Sequence, residues 1–389
     1  MSRRLEAGFV PLVDAAPLIA AAERGFAAEE GILLEPVRQA SWASLRDHLN
    51  LGHVDCAQAL APLPIAAALG IGQVRADLAV PFVLSRGGNA ITLSTALADE
   101  VRGAGGGESP AGAGAWGRAL AVLLGQRREP VTLAMVYPFS GHNFELRYWL
   151  AAAGIHPDRD LRLVGIPPPL MVESLRAGQV DGFCVGEPWN SLAAASGVGE
   201  IVATKSEIFP RGIEKVLALP SRLLADEPAT AALIRSVAAA AAWCDRSENH
   251  VALAEILARP GYLGVDPEII LRALDGRLQH AGTEADNEPD DEFLVFSRFD
   301  ANRPRVEEAL FLYAQMLRWG QVAPGDAAAK AAGAVYRPDV YARVIGPEEP
   351  VGPRPIAACD GIAFDAESVE AYLERFDIAT PYGAVVGEL

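Results

Sequence analysis

The residues able to do chemistry are few and spread out. The four cysteines, Cys56, Cys184, Cys244 and Cys359, lie far apart and make neither a metal-ligand spacing nor a disulfide framework. His48 and His53 flank one predicted helix without the cysteine or carboxylate spacing of a zinc site. Ser140 and His142 are too close in sequence to be set as nucleophile and base by a strand-to-helix elbow. No G-x-G-x-x-G opens a helix after the first strand, and no phosphate loop with its lysine occurs. His142 is the one candidate base, and nothing in the sequence supplies its partner, so an enzyme is not expected. Four segments stand out instead: QASW (Gln39–Trp42), GGNAI (Gly87–Ile91), SGHNFELRYWL (Ser140–Leu150) and the Pro-rich run Pro167–Asn190. Only three of the 33 Lys and Arg residues are lysines, at 205, 215 and 330.

These segments need a scaffold, and the chain supplies one. Strand-like and helix-like patterns alternate from the start: strand Leu5–Val10, helix Pro17–Glu29, strand Ile32–Val37, helix Ser44–Leu51, strand Val54–Leu60, helix Pro64–Leu69, strands Ala79–Leu84 and Ala90–Ser94. A glycine-rich stretch, 103–114, reads as a loop. The alternation restarts with strand Val131–Val136, helix Asn143–Ala153, strand Leu161–Ile166, helix Leu170–Ala177, strand Val180–Val185, helix Trp189–Ala195 and strand Glu200–Thr204. Strands separated by single helices predict parallel sheets with ligand sites at their C-terminal ends. From Pro220 the pattern is helical (Ala229–Cys244, Val251–Leu257, Pro267–Ala273, Val306–Trp319), interrupted by an acidic loop at Gly282–Glu292. The helical part is expected to wrap and complete the first lobe.

At 389 residues and 51% hydrophobic content the chain has ample core for two α/β lobes. Its net charge of −17 repels phosphate backbones and anionic bilayers, which argues against direct nucleic-acid binding and membrane insertion. The longest uncharged run, Cys56–Val74, is broken by Pro62, Pro64 and Gly70 and reads as core. Arg3-Arg4 is followed by Glu6, Pro11 and Asp14 in place of an apolar signal segment, so a cytoplasmic location is expected, or a periplasmic one if an export signal has been removed.

In this order and spacing, several stretches resemble the nitrate- and bicarbonate-binding family of ABC-transporter substrate-binding proteins (NrtA/CmpA type) and, most of all, its cytoplasmic nitrate/nitrite-sensor offshoot (NasS type). They are VPLVDAAPLIAAAERGF (Val10–Phe26), ASW with Arg46-Asp47 behind it, APLPIA (Ala61–Ala66), GGNAITLS, the His142 helix with RYWLAAAGI, the Pro-rich turn and GFCVGEPWN, spanning about Val10 to Lys215. The resemblance implies a two-lobed, periplasmic-binding-protein-like (type 2) α/β fold, with lobe one formed by 1–95 plus 206–389 and lobe two by 96–205. It implies an oxyanion site between the lobes, with Trp42 from the first lobe and His142 from the second. Asn89 stands where nitrate-transport proteins usually carry Gln, and Lys215 brings positive charge. Backbone around Pro168 and Val185-Gly186 would close the pocket. The bicarbonate-binding relatives have an acidic residue in place of Lys215 and use Ca²⁺; a lysine there opposes a cation, so no metal or cofactor is expected. The implied ligand is nitrate or nitrite. The implied partner is an RNA-binding antiterminator (NasT-like); the alternative is the periplasmic component of a nitrate/nitrite transporter. The residue types suit the ligand: nitrate is planar and singly charged, lysine supplies a point charge, and imidazole, indole and amide N–H groups donate in fixed directions.

Overall fold

The computed structural model describes residues 3–281, 289–347 and 356–383. Apolar runs near the N-terminus form β1 (Arg3–Phe9) and β2 (Ile32–Arg38), paired in parallel. Between them, α1 (Ala16–Glu23) and α2 (Phe26–Glu29) replace the single helix expected over 17–29. Gly25 separates them with a φ of 84°, a left-handed conformation that ends an α-helix. Then come α3 (Trp42–Leu51), β3 (Cys56–Leu60), α4 (Leu63–Leu69), β4 (Leu78–Gly87) and β5 (Asn89–Ser94).

The stretch 103–114 is less of a loop than expected. Helices α5 (Thr95–Ala104) and α6 (Gly112–Gln126) reach into it from both sides, leaving 105–111 between them. Burial of Leu97, Val101, Trp116 and Leu120 outweighs the low helix propensity of the glycines. Next follow β6 (Thr132–Met135), α7 (Gly141–Ala152), β7 (Arg162–Gly165), α8 (Met171–Arg176), β8 (Gly182–Gly186), α9 (Trp189–Ala195), β9 (Gly199–Thr204), α10 (Lys205–Ile208) and β10 (Ile213–Pro220). A two-residue strand, β11 (Leu294–Val295), comes later.

The strands make two large sheets, ordered β11-β4-β10-β3-β1-β2 and β7-β6-β8-β5-β9. Both are mixed, which corrects the expectation of parallel sheets. In the first, β10 runs antiparallel to β3 and β4. In the second, β5 runs antiparallel to β8 and β9. β10 and β5 are the strands by which the chain enters one sheet from the other, so each arrives from the opposite end; the short β11, later in the chain, is also antiparallel to β4. β5, within the stretch expected in the first lobe, pairs in the second sheet; membership changes at Gly87-Gly88, where φ is 71° and 82°. The return path, through α10, lies alongside: the Gly87 N–H donates to the Gly212 carbonyl at 3.0 Å.

One apolar core lies between the first sheet, α1 and the long helix Glu227–Cys244. A second runs from the α3/α4 side of that sheet through the helices and strands around the second. The helical tail completes the first lobe only in part. Helix Val306–Arg318 and residues 356–383 also pack on α7: the Tyr148 hydroxyl donates to Asp360 at 2.9 Å, and the Arg318 guanidinium sits 4.8 Å from the Tyr148 ring centroid. Of the acidic loop expected at Gly282–Glu292, residues 282–288 lie outside the described residues. Among the described residues no helix is long and apolar enough to cross a membrane.

Candidate functional site

The two strand-to-helix junctions that the sequence singled out are both capped. The Ser41 hydroxyl accepts from the Ser44 N–H at 3.1 Å at the start of α3, and Ser140 accepts from Asn143 at 3.0 Å at the start of α7. The caps fix where each helix begins, and so place Trp42 and His142 in the first turns of α3 and α7. Both side chains are buried.

Lys215 comes from β10, a strand absent from the expected elements. Neighbouring strand residues normally point to opposite faces, but the register of β10 against β4 shifts on both sides of Lys215. Glu214 and Lys215 meet there, with Glu214 Oε1 2.8 Å from Lys215 Nζ. Lys215 Nζ also lies 2.8 Å from Asp14 Oδ2 and 5.5 Å from the centre of the Trp42 ring. Asp14 Oδ1 accepts from Gln58 Nε2, whose own oxygen accepts from the Val10 N–H at 2.9 Å.

A second ammonium, Lys205 at the start of α10, continues the chain of charges. It contacts Glu214 Oε2, lies 2.6 Å from Glu145 Oε1 and donates to the Ile213 carbonyl at 2.9 Å. Glu145, one turn along α7 from His142, accepts from Asn89 Nδ2 at 2.9 and 3.2 Å. Asn89 pairs with Gly186 across β5 and β8. A side chain at 186 would come 3.2 Å from Asn89 Oδ1 and 3.3 Å from Asp14 Oδ2, and one at Gly141 would clash with Glu214. Both glycines admit this close approach.

Four polar atoms in this cluster are buried and have no hydrogen-bond partner among the described residues: Trp42 Nε1, Asn89 Oδ1 and both ring nitrogens of His142. Orphaned buried polar atoms are uncommon in folded proteins. Burial, reinforced by Lys215 and Lys205 against the opposing pull of Glu214, holds the His142 imidazole well below its ordinary pKa. Its 3.5 Å approach to Glu214 is therefore no ion pair; the neutral ring offers one donor and one acceptor. The two ammonium groups hold Glu214 well below the carboxylate range against its burial, whereas burial pushes Glu145 up to about 7 despite Lys205.

The structure thus brings Trp42, Asn89, His142, Gly186 and Lys215 into one buried cluster. Val185, beside Gly186 on β8, is buried, and its carbonyl accepts from Asn190 Nδ2 at 2.8 Å. Pro168 opens a short turn at 168–170, and no hydrogen bond joins it to the cluster among the described residues. Sequence reasoning missed Asp14, Gln58, Glu145, Lys205 and Glu214. Signals were present: acids set within apolar runs, and one of only three lysines. Arg147, by contrast, is ion-paired with Asp158 at 2.6 Å, and the Glu187 carboxylate accepts from the Ser191 N–H in the first turn of α9 at 3.2 Å. A cavity of about 800 Å³ adjoins the cluster at Gly141, Glu145 and Lys205 and is otherwise walled by Phe209, Phe311 and the Arg86–Glu308 pair. Among the described residues no group of three or more His, Cys, Asp or Glu is arranged to hold a metal ion.

Comparison with known proteins adds to this geometry. The model of the NMT1-like family matches residues 2–258. The nitrate/nitrite-binding protein NrtA of Synechococcus elongatus is 31% identical over 94% of this chain and 84% of its own length. The nitrate import ATP-binding protein NrtC of Synechocystis is 34% identical over 96% of this chain, which spans 55% of that protein. The crystal structure of the periplasmic nitrate-binding protein NrtA from Synechocystis superimposes with a TM-score of 0.87 at 28% identity, covering 96% of this chain and 98% of that one. The two-lobed, periplasmic-binding-protein-like fold expected from the sequence is the fold this chain has.

Proposed function

Because the chain belongs to the NMT1-like family, among its nitrate- and bicarbonate-binding substrate-binding proteins, we propose that it binds nitrate or nitrite between its two lobes and signals the bound state to a protein partner. The observation that carries this reading is the convergence of the Trp42 indole, the Asn89 amide, the His142 imidazole and the Lys215 ammonium, three of them with unpaired buried polar atoms. In this reading, Lys215 supplies charge, Trp42 and His142 donate, and the Gly186 backbone keeps the wall thin. Pro168 and Val185 line the far side. The lobes pivot where Gly87-Gly88 and the return at Gly212 are joined by a hydrogen bond. An anion that contacts both lobes only when they are closed favours the closed state by its differential affinity. The protein acts by binding and carries out no reaction.

We place this activity in the cytoplasm, as a NasS-type sensor whose partner is a NasT-like RNA-binding antiterminator. The match of 96% of the chain to about half of an ATP-binding import protein supports the location, since ATP is held in the cytoplasm. The likeness to a periplasmic nitrate-binding protein over nearly the full length of both chains supports the second reading, a transporter's substrate-binding component. Calorimetric titration with nitrate, nitrite and bicarbonate tests the ligand: no heat with either nitrogen oxyanion refutes the reading. Adding the anion to a complex with an antiterminator tests the sensor role, which fails if no complex forms or if the complex ignores the anion. Recovery of the native protein in the periplasmic fraction would decide for the transporter component.

A further inference from the structure

The charges around the candidate site do not balance. Three carboxylates, Asp14, Glu145 and Glu214, share two ammonium groups, Lys205 and Lys215, and the imidazole among them is neutral. All six side chains are buried, none in a residue more than 3% exposed. With every carboxylate ionised the cluster carries one excess negative charge. A bound monoanion would add a second within a volume that water does not screen, and like charges held together at low dielectric exclude one another unless one is neutralised.

We infer that anion binding is coupled to the uptake of one proton and that Glu145, held by Asn89 one hydrogen bond behind the ligand, is the group that takes it. The inference rests on the oxyanion reading of the site. Geometry selects Glu145. Asp14 and Glu214 each contact Lys215 directly; the two ammonium groups hold Glu214 ionised, and at Asp14 the burial that raises its pKa is opposed by Lys215 and by the Gln58 amide, a pair of partners committed to that carboxylate. Glu145 reaches only Lys205, which it shares with Glu214. It is linked to the ligand side through Asn89, whose Nδ2 holds the carboxylate while its Oδ1 faces Gly186. The groups facing Glu145 are Lys205 from α10, Glu214 from β10, Asn89 from β5 and the Cys184 thiol of β8 at 3.9 Å; His142, on its own helix, approaches Glu214 at 3.5 Å. Across the adjoining cavity lies the closed Arg86–Glu308 pair. That cavity lets a proton reach Glu145 without passing the anion. The direction in which burial shifts the Glu145 pKa agrees with the assignment. One other buried acid, Glu187, has no cation beside it, but its carboxylate accepts from the Ser191 N–H and shares no ion pair with the charge chain.

The test is nitrate titration of the full chain by calorimetry between pH 6 and pH 9, in buffers of different ionisation enthalpy, for the wild type and Glu145→Gln. The wild type should take up close to one proton per anion above neutral pH, and its Kd should rise by about tenfold per pH unit there, as linkage requires. Glu145→Gln, which keeps the hydrogen-bonding shape and discards the charge, should take up none, show a flat Kd and bind nitrate more tightly than the wild type at pH 9. A protonated-carboxyl infrared band that grows on adding nitrate to the wild type reads the same event if the variant does not fold. Nitrate binding without proton uptake overturns the inference and leaves the oxyanion reading standing. Unchanged coupling in Glu145→Gln moves the proton to another group and overturns the assignment. No binding of nitrate, nitrite or bicarbonate at any pH refutes the oxyanion reading itself, and the coupling with it.

Discussion

Two buried ionic groups sit within the same molecule and differ in kind. At Arg86, on β4, the guanidinium binds both oxygens of Glu308 and donates to the carbonyls of Ala301 and Arg303, so each partner is satisfied by the protein itself. Around Lys215 the ammonium and carboxylate groups are also paired, yet four neighbouring polar atoms are left without partners, and acids outnumber ammonium groups by three to two. A closed pair fixes one arrangement of the fold, here joining β4 to the helix Val306–Arg318. A cluster with unspent donors and acceptors has chemistry left over for a guest. Both stretches were rich in polar residues within apolar surroundings; only the bond-by-bond accounting tells a staple from a site.

The contrast can be broken by experiment. Replacing Arg86 with Met leaves Glu308 buried beside no cation and should lower stability by about 3–5 kcal/mol, read from denaturant midpoints, while nitrate affinity of the folded fraction stays within a few-fold. If affinity collapses as well, the two groups are not separate. Lys215→Met should do the reverse in emphasis, weakening nitrate binding by about ten- to a hundredfold or more, the worth of one charge-assisted hydrogen bond of about 1.5–3 kcal/mol. Unaltered calorimetric affinity would remove Lys215 from the ligand set.

A smaller loss, of about tenfold or less, is expected for His142→Ala, since a neutral imidazole contributes an ordinary hydrogen bond of about 0.5–1.5 kcal/mol. An undiminished Kd would make the ring a packing element only. The mildest effect concerns Glu187, whose carboxyl is pushed by burial from 4.5 up to about 7. The folded state holds that proton more tightly than the unfolded chain. Its contribution to stability is therefore complete below pH 4.5, is lost as pH rises toward 7, and stays lost above. Melting curves at pH 5 and pH 8 should differ less for Glu187→Gln than for the wild type, and equal differences would sink the assignment.

Much of this site could be read before any coordinates. Trp42 and His142 each follow a serine cap at a strand-to-helix junction, a pattern that survives in one dimension because capping is local. The acids were harder. Glu145 lies in a helix buried on all sides, where periodicity carries no information about which face meets the ligand. Glu214 and Lys215 owe their contact to register shifts in a strand that only its pairing with β3 and β4 defines. The same long-range pairing explains why the parallel sheets expected from alternation turned out mixed.

By itself the sequence determined the α/β alternation, because that follows from short-range periodicity and capping, and its motifs, in their order and spacing, carried the family resemblance that implied two lobes with a site between them. The tertiary structure alone decided that Asp14, Glu145, Lys205, Glu214 and Lys215 form one continuous run of charges, since contacts between residues as far apart as 14 and 215 arise only when two sheets are crossed twice by the same chain. It also decided the sign of what is left over there, because burial fixes which charges must be balanced and which protons are held.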